Sequence, residues 1–300
     1  MAEISQVRNI VSGRVMQKIS RVAEKYEPPE SAPIGMFDSG VGGLTVFEKT
    51  IKLLPRENVI YLADTARVPY GGRSASDIIK INKEIIELFM GFGVKLLIIA
   101  CGTSSAMAYP VLKDRYKIPM VEMIEGGAEL AARSTRNNRI GVIATVGTIN
   151  SLAYQNAIKN LKKEAEVIGV ACPLLVPLIE GGFAASEETE KVLKEYLKPL
   201  RSAKIDTLVL GCTHYPHLSR TIKSIMGPGV TLVDPSDEAA EKTRDILIRG
   251  KMSNMSGDPP KHRFLVTGSG TGFRDLGSRL LGRPLANVEE ISIVKGARGR

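Results

Sequence analysis

Residues 96–106 read LLIIACGTSSA, and residues 207–216 read TLVLGCTHYP. Each apolar run ends at a cysteine with a threonine close behind, Cys101 then Thr103 and Cys212 then Thr213. A run that is apolar throughout is what a strand buried on both faces of a parallel sheet requires. In an open α/β sheet, ligands bind beyond the carboxyl ends of the strands. The chain has only three cysteines, and these two stand 111 residues apart in matching contexts. Two such strand ends, one from each half of a chain, can face each other across a cleft.

Outward from these runs, the chain from residue 33 alternates short apolar segments with helical stretches. Strands are expected at 34–37, 59–63, 95–100, 118–123, 139–145, 166–171 and 206–211. Helices are expected at 44–54, at 74–93 with Ser74 or Ser76 as its cap, and near 149–162, 186–203 and 236–249. Strands alternating with helices imply parallel sheets with right-handed crossovers. The expected fold is α/β, with two similar halves of mainly parallel sheet and a cleft between them. A final element near 264–270 and onward can return to either half, and the polar stretch 251–263 reads as a loop.

Composition sets the bounds. The chain has 300 residues, 43% hydrophobic and 24% charged, with no Trp and 5% aromatic residues, so the core is aliphatic. That length allows one large domain or two ordinary ones. An odd cysteine count without a CxxC pair argues against a disulfide framework and a zinc ribbon, and points to a reducing, cytoplasmic compartment. The net charge of +9 is spread along the chain, with no basic run of five, so nucleic-acid binding is not expected. No stretch is apolar enough to span a membrane. Ile4, Val7, Val11, Val15, Ile19 and Val22 recur at helical spacing, giving an amphipathic leader over 1–32 that ends at a Pro-Pro break.

Several strand ends carry chemistry. Asp38-Ser39-Gly40-Val41-Gly42-Gly43 follows a strand and opens a helix, where glycines let backbone approach a ligand. Its spacing is neither G-x-G-x-x-G nor a P-loop. A second loop holds Asp64, Arg67, Tyr70 and Gly71; Tyr70 offers a hydroxyl, and Arg67 pairs with Asp64 or meets a carboxylate. Cys101 and Cys212 are the leading candidates, while Cys172, before a proline, reads as structural. His214 lies two residues from Cys212, and a nearby imidazole favours the thiolate. Glu180 closes VPLIE and is either a surface residue, a partner that orients His214, or an acceptor for a substrate ammonium proton. His217 and His262 receive no role.

Taken together, FDSGVGGLTV, DTARVPYG, the Cys101 segment, VPLIE and LVLGCTHYP resemble the glutamate racemase family, from about residue 34 to 285. The resemblance implies two pseudo-symmetric α/β domains, one at 33–128 and 240–285 and the other at 129–239, with 286–300 as a tail. It implies a cofactor-independent enzyme, without metal, that interconverts L- and D-glutamate and supplies D-glutamate for peptidoglycan. Cys101 and Cys212 would be the two proton acid/bases, with Asp38 assisting the first and Glu180 and His214 the second. Asp38, Ser39, Tyr70, Gly71, Gly102, Thr103, Thr213 and His214 would hold the substrate, and a homodimer is expected. Related aspartate racemases carry Glu where this chain has His214. One departure stands out: the family has Asn after the first cysteine, and here it is Gly102, so Gly102→Asn is expected to restore a contact. An aspartate racemase and a non-catalytic binding protein on the same scaffold are the alternative readings.

Overall fold

The computed structural model describes residues 28–293. The leader pattern over 4–22 and the last seven residues of the expected tail lie outside them. The chain runs β1 (Ile34–Asp38), α1 (Leu44–Leu53), β2 (Val59–Ala63), α2 (Ala75–Gly91), β3 (Leu96–Ile99), the short α3 (Gly102–Met107) and α4 (Tyr109–Leu112), and β4 (Met120–Glu122). Helix α5 (Met123–Ser134) carries it into β5 (Arg139–Ala144), α6 (Val146–Asn150), α7 (Ala153–Leu161), β6 (Glu166–Ala171), α8 (Leu175–Glu180), α9 (Glu187–Ser202), β7 (Thr207–Leu210), α10 (Ser219–Met226) and β8 (Thr231–Val233). Helix α11 (Pro235–Arg249) carries it back to β9 (His262–Val266), α12 (Gly270–Leu281) and β10 (Val288–Glu290).

Six strands form one sheet in the order β10-β9-β2-β1-β3-β4, and four form another in the order β6-β5-β7-β8. Every ladder is parallel. These are two α/β domains of one design. In the first sheet β1 is central, with Met36 between Tyr61 and Ile98. Its alternation splits the core: Ile34 and Met36 join the cluster under α1, α11 and α12, while Phe37 joins the cluster under α2. Both faces are thus covered, which is why these strands read as unbroken apolar runs. Ser74 caps α2 by accepting from the Asp77 N–H at 3.2 Å.

Some elements lie beyond the pattern expected from sequence. Helices α5, α10 and α12 and strands β8 and β10 are additional to the expected elements; the two strands are only three residues long. Residues 286–300 were expected as a tail, yet Val288–Glu290 adds an edge strand beside β9. Its sequence, Val-Glu-Glu, has one apolar residue because an edge strand needs little more. Strand β9 pairs with β2, so the chain's last part returns to the first sheet. The crossings α5 and α11 are tied by Lys242 to Glu129 and by Arg133 to Glu238, both at 2.9 Å. At the amino ends of the first sheet, buried Lys95 pairs with Glu57 at 2.5 Å and donates to the Met252 carbonyl at 2.8 Å.

Candidate active site

The carboxyl ends of β1, β3 and β7 open into one cleft between the domains, because parallel strands all deliver their ends to the same side. It holds a cavity of about 510 Å³, lined by Cys101 and Cys212 and by every other residue that the family resemblance assigns to the site; Asp64 and Arg67 lie outside that lining. One thiol comes from the end of the first sheet and the other from the end of the second.

On the Cys212 side, the turn after β7 sets His214 Nδ1 3.8 Å from Cys212 Sγ. The far ring nitrogen, Nε2, lies 2.8 Å from Glu180 Oε1, at the end of α8. His214 is buried. Burial alone would discharge it, but the contacts with Cys212 and Glu180, and the charge of Asp38, outweigh burial and raise its pKa to about 10. The ring is therefore an imidazolium at neutral pH, held between the Cys212 sulfur and a carboxylate.

On the Cys101 side, the thiol stands at the N-terminus of α3 and is buried. Burial pushes it up to about 12, with the charge of Asp38 adding, against the opposing hydrogen bonds of Ser104. Asp38 itself is buried, and burial raises its pKa against the pull of His214 and of its own hydrogen bonds. Its Oδ1 accepts from the Gly40 N–H at 2.8 Å and from Ser39 Oγ at 3.3 Å. Its Oδ2 accepts from Thr213 Oγ1 at 3.3 Å, across the cleft. Asp38 thus acts on Cys101 through charge while binding the Cys212 loop directly.

The structure changes several details of the sequence reading. The Tyr70 hydroxyl donates to Asp64 Oδ2 and is spent there rather than offered to the cavity. Arg67 meets Asp64 at 2.6 Å and Glu84 at 2.5 Å, so its charge is neutralised within its own domain. Cys172 also borders the cavity, although its Sγ faces the Val170 carbonyl at 3.5 Å. Gly42 lets backbone approach not a ligand but the opposite domain: a Cβ there would stand 2.3 Å from Thr213 Oγ1 and 2.5 Å from the His214 ring. A Cβ at Gly102 would stand 2.6 Å from the Gly211 carbonyl oxygen. The asparagine expected to restore a contact at 102 therefore meets the backbone of the other domain.

Sequence reasoning missed Thr145. Its hydroxyl caps α6 and lies 2.9 Å from both Thr103 Oγ1 and Thr148 Oγ1, so a chain of hydroxyls joins the two domains beside Cys101. A second bridge runs from the Gly147 N–H to the Gly71 carbonyl at 2.8 Å. The only sequence signal was position, since Thr145 follows β5 as Thr213 follows β7. Among the described residues, no group of three His, Cys, Asp or Glu side chains is placed to hold a metal ion. No helix among them is long and apolar enough to cross a membrane.

Residues 34–243 match the family described as Asp/Glu/hydantoin racemase. The glutamate racemase of Geobacter metallireducens is 45% identical over 260 residues, covering 87% of this chain and 96% of that one. The crystal structure of glutamate racemase isoform RacE1 from Bacillus anthracis superposes with a TM-score of 0.85 at 37% identity, covering 89% of this chain and 100% of that one. Glutamate racemase from Francisella tularensis, solved in complex with D-glutamate, gives a TM-score of 0.83 at 38% identity, over 88% of this chain and 98% of that one.

Proposed function

This chain belongs to the Asp/Glu/hydantoin racemase family, and from that premise we propose that its cleft interconverts L- and D-glutamate by two-base chemistry without a cofactor. The observation that carries the reading is that Cys101 and Cys212, from opposite domains, line one cavity. In one direction Cys212, as thiolate facing the His214 imidazolium, takes the proton from the substrate Cα and becomes a thiol. Cys101, a thiol at neutral pH, gives its proton to the opposite face of the planar carbanion and becomes a thiolate. The pair has then exchanged roles, charge balances, and the mirror-image substrate runs the same path backwards.

Asp38 assists Cys101 through charge, and His214, held by Glu180, assists Cys212. We assign substrate binding to Asp38, Ser39, Tyr70, Gly71, Gly102, Thr103, Thr213 and His214. Ser39, Thr103 and Thr213 supply hydroxyls, and Tyr70, Gly71 and Gly102 supply backbone. Preorganised donors at the reacting carboxylate stabilise negative charge as it builds. The same thiols require a reducing compartment, which suits a cytoplasmic enzyme supplying D-glutamate for peptidoglycan. We expect a homodimer, a point that light scattering decides.

The domain bounds we adopt are 33–128 with 240–285, and 129–239, with a leader at 1–32; of the expected tail at 286–300, Val288–Glu290 goes with the first domain's sheet. Support comes from the strands, since the first sheet's run ends at Glu122 and resumes at His262 while the second lies within 139–233.

The test is circular dichroism of L- or D-glutamate with purified, dialysed protein. Ellipticity should decay to zero from either side with no added cofactor; a need for pyridoxal phosphate would overturn the reading. An aspartate arm in the same assay separates the two substrates. In D₂O, early product from either enantiomer should carry solvent deuterium at Cα while recovered substrate carries little. Product that keeps the original hydrogen would point to a single shared base.

A further inference from the structure

Helix α12 belongs to the first domain, but its last turn reaches the second. Leu280 packs, partly buried, against the apolar clusters of both domains. The neighbouring Arg279 donates from Nη2 to the carbonyl oxygen of Glu180. That carbonyl ends α8, where the last carbonyls of a helix lack partners and a cation is favoured. Beside it, a Cβ on Gly182 would lie 3.4 Å from Arg279 Nη1, so the guanidinium lies against the main chain. The carboxylate of the same Glu180 holds His214 Nε2 at 2.8 Å, and His214 Nδ1 faces Cys212 at 3.8 Å.

We propose that Arg279 is a positioning residue: a clasp from the first domain that fixes Glu180, and through it His214, against Cys212 only when the cleft is closed. The inference rests on the two-thiol reading above only for its catalytic consequence. Its structural content, that a guanidinium in one domain sets the environment of a histidine in the other, stands by itself. The groups facing His214 are Cys212 on its own loop, Glu180 from α8 and Asp38 from β1, with His217 on the same turn. Of these, Glu180 is the one that Arg279 holds.

The experiment uses the fact that the chain has three histidines, so ring titrations can be followed by NMR one residue at a time. In Arg279→Ala, Glu180 is released and its carboxylate spends less time on Nε2. The midpoint of His214 should fall by about half a unit, because a favourable hydrogen bond to the charged form is lost, while those of His217 and His262 stay. Arg279→Lys, which keeps a donor cation, should restore most of the shift. In a Glu180→Gln background, Arg279→Ala should add nothing, since the link it acts through is gone. An unchanged His214 midpoint, or an equal shift with Glu180 removed, overturns the clasp.

Activity gives a second readout. Enantiomers have equal free energy, so kcat/KM must fall equally for L- and D-glutamate, by about five-fold for a lost charge-assisted contact. Its basic limb should also move to lower pH. A fall in rate with the limb unmoved would mean a merely structural role. Wild-type protein without racemase activity would sink the proposed function, and the histidine titration would still decide the clasp.

Discussion

Three thiols border one cavity, and their neighbours make them unequal. Cys212 faces the His214 ring, Cys101 lies in the field of Asp38, and Cys172 has the Val170 carbonyl beside its sulfur. Burial pushes Cys172 up to about 12, as it does Cys101, so what sets Cys172 apart is the Val170 carbonyl beside its sulfur. Cys101→Ser and Cys212→Ser should each lower kcat by about 1,000-fold or more, as loss of a general acid–base group does. Cys172→Ser should stay within about three-fold of wild type, because its hydroxyl can use the same carbonyl. Full activity in either of the first two variants would remove that residue from the chemistry. His214 also has a consequence for stability. Its folded pKa of about 10 lies above the usual histidine value, so its contribution is complete below about pH 6.5 and is lost as pH rises through 10. Denaturant titrations between pH 6.5 and 8, below the pKa of about 8.5 of a thiol in an unfolded chain, should show wild type losing stability and His214→Asn losing much less.

At the scale of elements, the site is built from strand ends and the turns after them. Gly42, in the turn between β1 and α1, sits against Thr213 and His214 of the other domain. Gly42→Ala should leave the secondary structure intact by circular dichroism and lower kcat/KM by about 100-fold, as displaced catalytic groups do. Wild-type kinetics in that variant would show that the turn has room to yield. The strands buried on both faces were legible in the sequence, and so were the cysteines at their ends, because burial on two faces leaves an unbroken apolar run. Thr145 and the purpose of Gly42 were not, because each depends on a residue far along the chain. Tyr70 differs: its hydroxyl belongs to Asp64, only six residues back, and local spacing alone cannot tell that partner from a substrate. Strands β8 and β10 escaped notice because three residues are too few to show a period.

The whole molecule is two domains closed on each other. Thr213 reaches Asp38, Thr45 Oγ1 donates to the Thr213 carbonyl at 3.1 Å, and Gly102 meets the Gly211 backbone. A side chain at 102 has no way through except by parting the domains. Gly102→Asn should therefore lower kcat/KM, by about ten-fold, and raise hydrogen exchange around residues 102 and 211. A gain in activity would mean that the closed form tolerates the wedge and that the lost amide contact matters more.

The two bridges between the domains, Thr103 to Thr145 and Gly147 to Gly71, stand side by side at the same cavity. We expect product release to break both bridges and the next substrate to enter before they reform. Turnover then includes a bulk movement of two bodies through solvent, and such movement meets friction. Raising the viscosity with sucrose should slow kcat for a good substrate in near proportion. With a poor substrate, whose proton transfer is the slower step, the drag should drop out of the rate.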